Sequence, residues 1–134
     1  MPAHFLATLP NFLAYLGTAI VLLVAFVAIY LYVTPYREIA LIRNNNTAAA
    51  ISLSGAILGF AMPIANVIAH SDTLLDLAVW GVVAGIVQTV AWGLARVALP
   101  QLQEDIAAGR VAPATFVAAL SITVGLLNAA CMTY

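Results

Sequence analysis

Apolar residues run almost unbroken through four stretches of the chain, near positions 12–33, 48–70, 74–95 and 114–132, and polar residues gather between them. Crossing roughly 30 Å of hydrocarbon takes about 20 helical residues. Each stretch is long enough, so the pattern predicts an all-α polytopic membrane protein with four transmembrane helices.

The few small and polar residues inside the stretches follow a period. In the second, Asn45, Ser52, Gly59 and Asn66 recur every seven residues with Gly55 alongside, and the fourth repeats the stripe with Ala118, Ser121, Gly125 and Asn128. Small residues let helix backbones approach, which drives packing where lipid offers no hydrophobic incentive. Ser52, Gly55, Gly59, Ser121 and Gly125 are therefore expected to form a helix-packing or oligomer seam, within one subunit or between subunits. Asn66, Gln88 and Asn128 are intramembrane polar candidates. Gln88 shares a face of the third stretch with Gly81 and Gly85 and is expected to point into the bundle. Pro63 is expected to kink the second stretch and free a backbone carbonyl near Gly59.

Shifting the second stretch by 66 residues lays Gly55-x-x-x-Gly59 on Ser121-x-x-x-Gly125, and Pro35 and Pro100 mark matching loops. This reads as one membrane domain over 1–134 built as a duplicated helical hairpin, with repeat one at about 12–70 and repeat two at about 74–134. Each unit contributes two spans, so both copies enter the membrane in the same direction. The result is a parallel repeat, unlike the inverted repeats of many transporters. The two longer loops are read as short amphipathic helices with Ile39 and Ile42, or Leu102 and Ile106, turned to lipid, or as plain polar connectors.

Composition agrees with the pattern. Hydrophobic residues are 65% of the 134 and charged residues 7%, against about 45–50% and about 25% in soluble domains. A soluble domain of this size could not hide so much apolar surface. The net charge of −1 argues against nucleic acid, which needs a basic footprint. All four basic residues, Arg37, Arg43, Arg96 and Arg110, lie in the two longer loops. The positive-inside rule then places those loops in the cytoplasm and both termini outside. Tyr30, Tyr32, Tyr36, Trp80, Trp92 and Tyr134 lie near span ends and fit an aromatic belt, whereas Phe26, Phe60 and Phe116 read as packing aromatics. Residues 1–36 hold no Lys or Arg, so the positive region of a signal peptide is missing and the first stretch is expected to stay as an anchor.

Chemistry is sparse. No ionisable group lies deep in a span, which argues against proton-coupled pumps and voltage sensors. Four spans make too thin a bundle to enclose a water-filled hole, because such a core is filled by its own side chains. No Ser-centred elbow, Gly-rich phosphate loop or HExxH motif occurs, so no catalytic residue and no cofactor is assigned. His4, His70, Asp72 and Asp76, all expected outside, are the nearest approach to a metal cluster. They read better as polar residues at a membrane edge, and no metal is assigned. The single cysteine, Cys131, excludes an intrachain disulfide and is read as a buried small hydrophobe.

The run Asn44-Asn45-Asn46 allows a sharper reading. Asn46 or Thr47 can cap the second span, because their side-chain oxygens accept free backbone N–H groups. Asn44 and Asn45 are left over at the rim beside Arg43. Arg37, Arg43, Asn44, Asn45 and Asn46 therefore form a candidate cytoplasmic docking surface or anionic headgroup site.

The segment Asn44-Asn45-Asn46-Thr47-Ala48-Ala49, then Ser54-Gly55 and Gly59, and the ending Asn128-Ala129-Ala130-Cys131-Met132-Thr133-Tyr134, resemble the YjfL-type family of small bacterial inner-membrane proteins, whose domain has no known function. The resemblance covers nearly the whole chain. It implies four spans built from two family repeats in the bacterial inner membrane, and by association a role in envelope maintenance or stress. It supplies no catalytic residue and no ligand.

Together these readings predict a non-enzymatic integral inner-membrane protein whose surroundings are the lipid bilayer and whose partner is a second copy or another membrane protein. The competing expectation is an oligomeric channel or small-solute permease lined by Ser52, Asn66, Gln88, Ser121 and Asn128.

Overall fold

The computed structural model describes residues 2–33, 38–70 and 73–132, with side chains placed for 7–32, 39–70 and 73–132. Six helices follow in order: α1 (Pro2–Val33), α2 (Glu38–Arg43), α3 (Thr47–His70), α4 (Leu74–Ala98), α5 (Leu102–Ala107) and α6 (Val111–Cys131). No strand occurs among the described residues. Helices α1, α3, α4 and α6 are each long and apolar enough to cross a membrane, as the hydropathy pattern predicts.

Helix ends sit where local chemistry allows them. Thr73 caps α4, its hydroxyl accepting from the Asp76 N–H at 3.1 Å, which satisfies one of the free donors of the first turn. Pro113 lies in the first turn of α6, where its missing N–H would have no helical partner anyway. That lets α6 start at Val111, ahead of the expected 114. Helix α1 begins at Pro2 rather than near 12 and carries Pro10 inside it.

Helices α3 and α6 form the centre and make the most extensive contact of the molecule. They run parallel: Asn46, just before α3, reaches Ile106 and Ala107, just before α6, and Asn66 near the end of α3 reaches Ala129 near the end of α6. Helix α4 packs across both and runs antiparallel to them. Its Gly81 faces Ile64 of α3, while Gln88, two turns on, faces Gly59 of α3 and Ser121 of α6. Helix α1 lies against α4 and α3. Phe26 of α1 stacks on Phe60 of α3 with ring centroids 4.4 Å apart and planes within 1°, and Leu22 meets Gly81 of α4.

Burial is uneven across the spans. Of the most apolar window of each, 56% is buried in α3 but only 6% in α1. The core thus centres on α3, and α1 meets it with one face, along Tyr15, Ala19, Leu22, Phe26, Tyr30 and their neighbours.

Several expectations are corrected. Tyr30 and Trp92 are not belt residues at the surface but are buried, meeting edge to face at 6.2 Å. Leu102 and Ile106 do not face lipid. Both are fully buried, so α5 closes the end of the bundle with its apolar side turned inward. Ile39 of α2 is exposed, as expected, but Ile42, expected to face lipid beside it, is half-buried against the core. Phe116 is exposed rather than a packing aromatic, and Cys131 is exposed rather than buried.

Candidate functional site

The seam between α3 and α6 is where the periodic small residues meet. A Cβ on Gly55 would collide with Ala118, one on Gly59 with the Ser121 carbonyl, and one on Gly125 with the Gly59 backbone. Side chains larger than hydrogen at these points would push the two helices apart. Pro63, inside α3, has no N–H to offer the Gly59 carbonyl one turn earlier. That carbonyl lies against Gly125 across the seam. Close approach of a glycine Cα to a carbonyl is a weak but recurrent helix–helix contact. The carbonyl that Pro63 leaves without its usual donor thus faces the neighbouring helix.

Gln88 points into the bundle. It is 3% exposed and its Nε2 donates to the Ser121 carbonyl at 3.2 Å. The same Nε2 lies 2.9 Å from where a Cβ on Gly59 would stand, so glycine at 59 also gives Gln88 room. Such interhelical hydrogen bonds in membranes average about 0.6 kcal/mol. Their value lies in satisfying a buried amide and fixing the register of three helices at one level. Ser52 is fully buried, its Oγ 3.5 Å from the Tyr30 hydroxyl.

An asparagine ties each end of the seam. Asn66 donates to the Ala129 carbonyl at 2.8 Å and to the Met132 carbonyl at 3.0 Å, supplying partners where helix α6 runs out of its own. At the other end Asn46 works in both directions. Its Oδ1 accepts the Ala49 N–H at 2.9 Å, capping α3, while its Nδ2 donates to the carbonyls of Ile106 and Ala107 at 3.0 and 3.3 Å.

Asn45 of the run is not left over. The Asn46 N–H bonds the Leu41 carbonyl and the Asn45 N–H bonds the Ile42 carbonyl, with Asn45 at φ 66°. This is a Schellman C-cap, which needs a left-handed residue just past the helix end, and asparagine is the usual choice after glycine. The same closure ends α5: Arg110 bonds Asp105, Gly109 bonds Ile106, and Gly109 sits at φ 82°. Of the docking candidates, Arg43, Asn44 and Asn45 are exposed and Asn46 is half-buried, while Arg37 lies outside the described residues.

The remaining polar candidates are not brought together. Asn128 has a buried amide nitrogen without a partner, as does the Trp92 indole. The side chain of His4 and all of Asp72 lie outside the described residues. His70 turns back to the Asn66 carbonyl at 2.9 Å. Among the described residues no three His, Cys, Asp or Glu side chains gather as a metal site. One ion pair occurs among them, Arg110 with Asp105 at 2.8 Å.

Sequence reasoning missed the cluster around Trp92. The Arg96 guanidinium lies over the Trp92 ring at 5.6 Å, and the Gln103 side-chain amide lies against the same guanidinium, its carbonyl able to accept from it once the amide is turned over. The spacing Trp92-x-x-x-Arg96 on one helix face was the signal.

Comparison with known proteins gives one family. The model of the Domain of Unknown Function (DUF350) matches residues 4–132. The chain is 34% identical over 131 residues to the UPF0719 inner membrane protein YjfL of Escherichia coli (strain K12), covering 98% of this chain and 99% of that one. It is 28% identical over 92 residues to the UPF0719 transmembrane protein YshE of Bacillus subtilis (strain 168), covering 69% of each. No solved structure matches.

Proposed function

The chain belongs to the DUF350 family as an integral inner-membrane protein, and from that premise we propose that it is a non-enzymatic component of a membrane complex, assembling through α1 with a second copy or a membrane-protein partner. One observation supports this above the rest. The small-residue seams that drive association in lipid are occupied inside the subunit by α3 and α6, whereas α1 packs one face on the core and leaves the other uncovered. Phe12, Leu16, Ile20 and Val24 follow at four-residue spacing on α1 and are 58%, 44%, 51% and 60% exposed. Side chains four apart share a helix face, so these four offer a continuous apolar stripe to a neighbouring helix. In the cell the complex would serve envelope maintenance.

The mass of the complex, extracted gently with its native lipids, tests this. A stoichiometric oligomer or a stoichiometric partner is expected; a bare monomer from native membranes would sink the reading. The alternative, an oligomeric channel or small-solute permease, draws no support from this geometry. Ser52, Gln88 and Ser121 are buried in a packed seam, and Asn66 and Gln88 donate to backbone carbonyls. A flux in liposomes that falls with Gln88→Leu would revive it.

A further inference from the structure

Between α1 and α4 lies a cleft of about 330 Å³. Phe26 and Phe60 form its floor, and Leu22, Ile29, Ile86 and Val90 stand along its sides. Its width comes from Gly81 and Gly85, which put no side chain into the space between the helices. The cleft opens sideways at the level of the hydrocarbon, where Ile29, Ile86 and Val90 are each more than half exposed. Water has no place there, because an ordered water needs two to four polar partners and this lining is almost entirely apolar. A flexible hydrocarbon chain fits it.

What anchors that chain is written along α4. Thr89, at one end of the cleft, and Arg96 lie seven residues apart, so they share a helix face about 10 Å apart. Gly93, between them, has open space where a side chain would be. Arg96 is exposed and makes no ion pair among the described residues. It is held all the same: the Trp92 ring lies beneath the guanidinium, and the Gln103 amide of α5 lies against it. Holding a guanidinium with an aromatic face and an amide leaves its charge uncompensated. A fixed positive charge thus stands two helical turns beyond an apolar cleft that opens to lipid.

We propose that this cleft and Arg96 form a binding site for one anionic phospholipid of the leaflet on the Arg-loop side, its acyl chain lying between α1 and α4 and its phosphate on Arg96. The site is separate from the stripe of Phe12, Leu16, Ile20 and Val24, so a lipid held here and a partner on that stripe do not exclude each other. The lipid completes the packing of α1, which the protein alone leaves thin.

Native mass spectrometry of the full chain, released from nanodiscs holding equal phosphatidylglycerol and phosphatidylethanolamine, tests the site. The wild type is expected to retain one phosphatidylglycerol. Arg96→Gln should lose roughly fivefold of that preference, the scale of one basic residue at a membrane surface. Ile86→Trp fills the cleft from an exposed position and should abolish retention of either lipid. Phe116→Trp, on the exposed face of α6, should change nothing; circular dichroism confirms that each variant stays helical. Equal retention of both lipids by the wild type, or retention unchanged by Arg96→Gln and Ile86→Trp, would overturn the proposal. So would a lipid-free dimer that Ile86→Trp breaks, because the cleft would then hold a helix of a second copy.

Discussion

Asn45 and Asn46 divide two jobs that a sequence reader would give to one residue. Asn45 takes the left-handed conformation that closes α2, and Asn46 caps α3 while holding the last carbonyls of α5. A left-handed backbone costs an ordinary L-residue about 1–2 kcal/mol. Asn45→Val should therefore destabilise by about that much, whereas Asn45→Gly should be close to neutral, as read by thermal unfolding in detergent. Asn46→Ala removes a cap worth about 0.5–2 kcal/mol together with both bonds to α5, and is expected at the upper end. Asn46→Asp keeps the acceptor for Ala49 but loses the donor, so it should fall between wild type and Asn46→Ala. The cap was legible from the sequence. The rest was not, because a left-handed turn shows only once the direction of both flanking helices is known.

At the scale of elements, the molecule is organised by the α3–α6 seam. Gly125→Ala sets a methyl against the Gly59 backbone, and overpacking of this kind costs about 1–3 kcal/mol. Gly93→Ala has open space around it and should stabilise α4 by roughly 0.5–1 kcal/mol, since glycine mid-helix is entropically costly. The two variants differ only in what the new methyl meets, so equal effects on melting would contradict the seam. Here the sequence was informative. A seven-residue recurrence of small residues places them on one helix face, and Pro63 pointed to the carbonyl at Gly59. It was less informative for α5. Six residues with two apolar positions form an amphipathic turn whichever way it faces, and nothing local said that Leu102 and Ile106 turn into the bundle. Leu102→Ala should cost about 2–5 kcal/mol, far more than a residue lying on lipid would. Tyr30 and Trp92 were misread for a related reason: nearness to a span end resembles a belt, while burial depends on which helix lies opposite.

At the scale of the whole molecule, hydropathy alone delivered the four spans. The arrangement follows from small residues: α3 and α6 approach closely at the centre, α4 lies across them, and α1 attaches by one face. The two loops carrying the basic residues each form a six-residue helix closed by the same C-cap, and the sequence reads as a duplicated hairpin with those loops on one side. That reading predicts both termini on the side away from the Arg-bearing loops. Cys131, exposed near the end of α6, should then react with a membrane-impermeant thiol reagent added to the outer face of spheroplasts. Reaction only after lysis would reverse the topology.

The central claim is that the subunit closes its own small-residue seam and leaves α1 as the assembly face. The most direct measurement is a single-cysteine scan of positions 12–29 in native membranes, in a Cys131→Ser background, with oxidative cross-linking read as a shift in mass. Cross-links recurring with helical period at Phe12, Leu16, Ile20 and Val24, to a second copy or one partner protein, are the predicted result. An α1 that cross-links nowhere, beside a complex that stays assembled, would contradict the account.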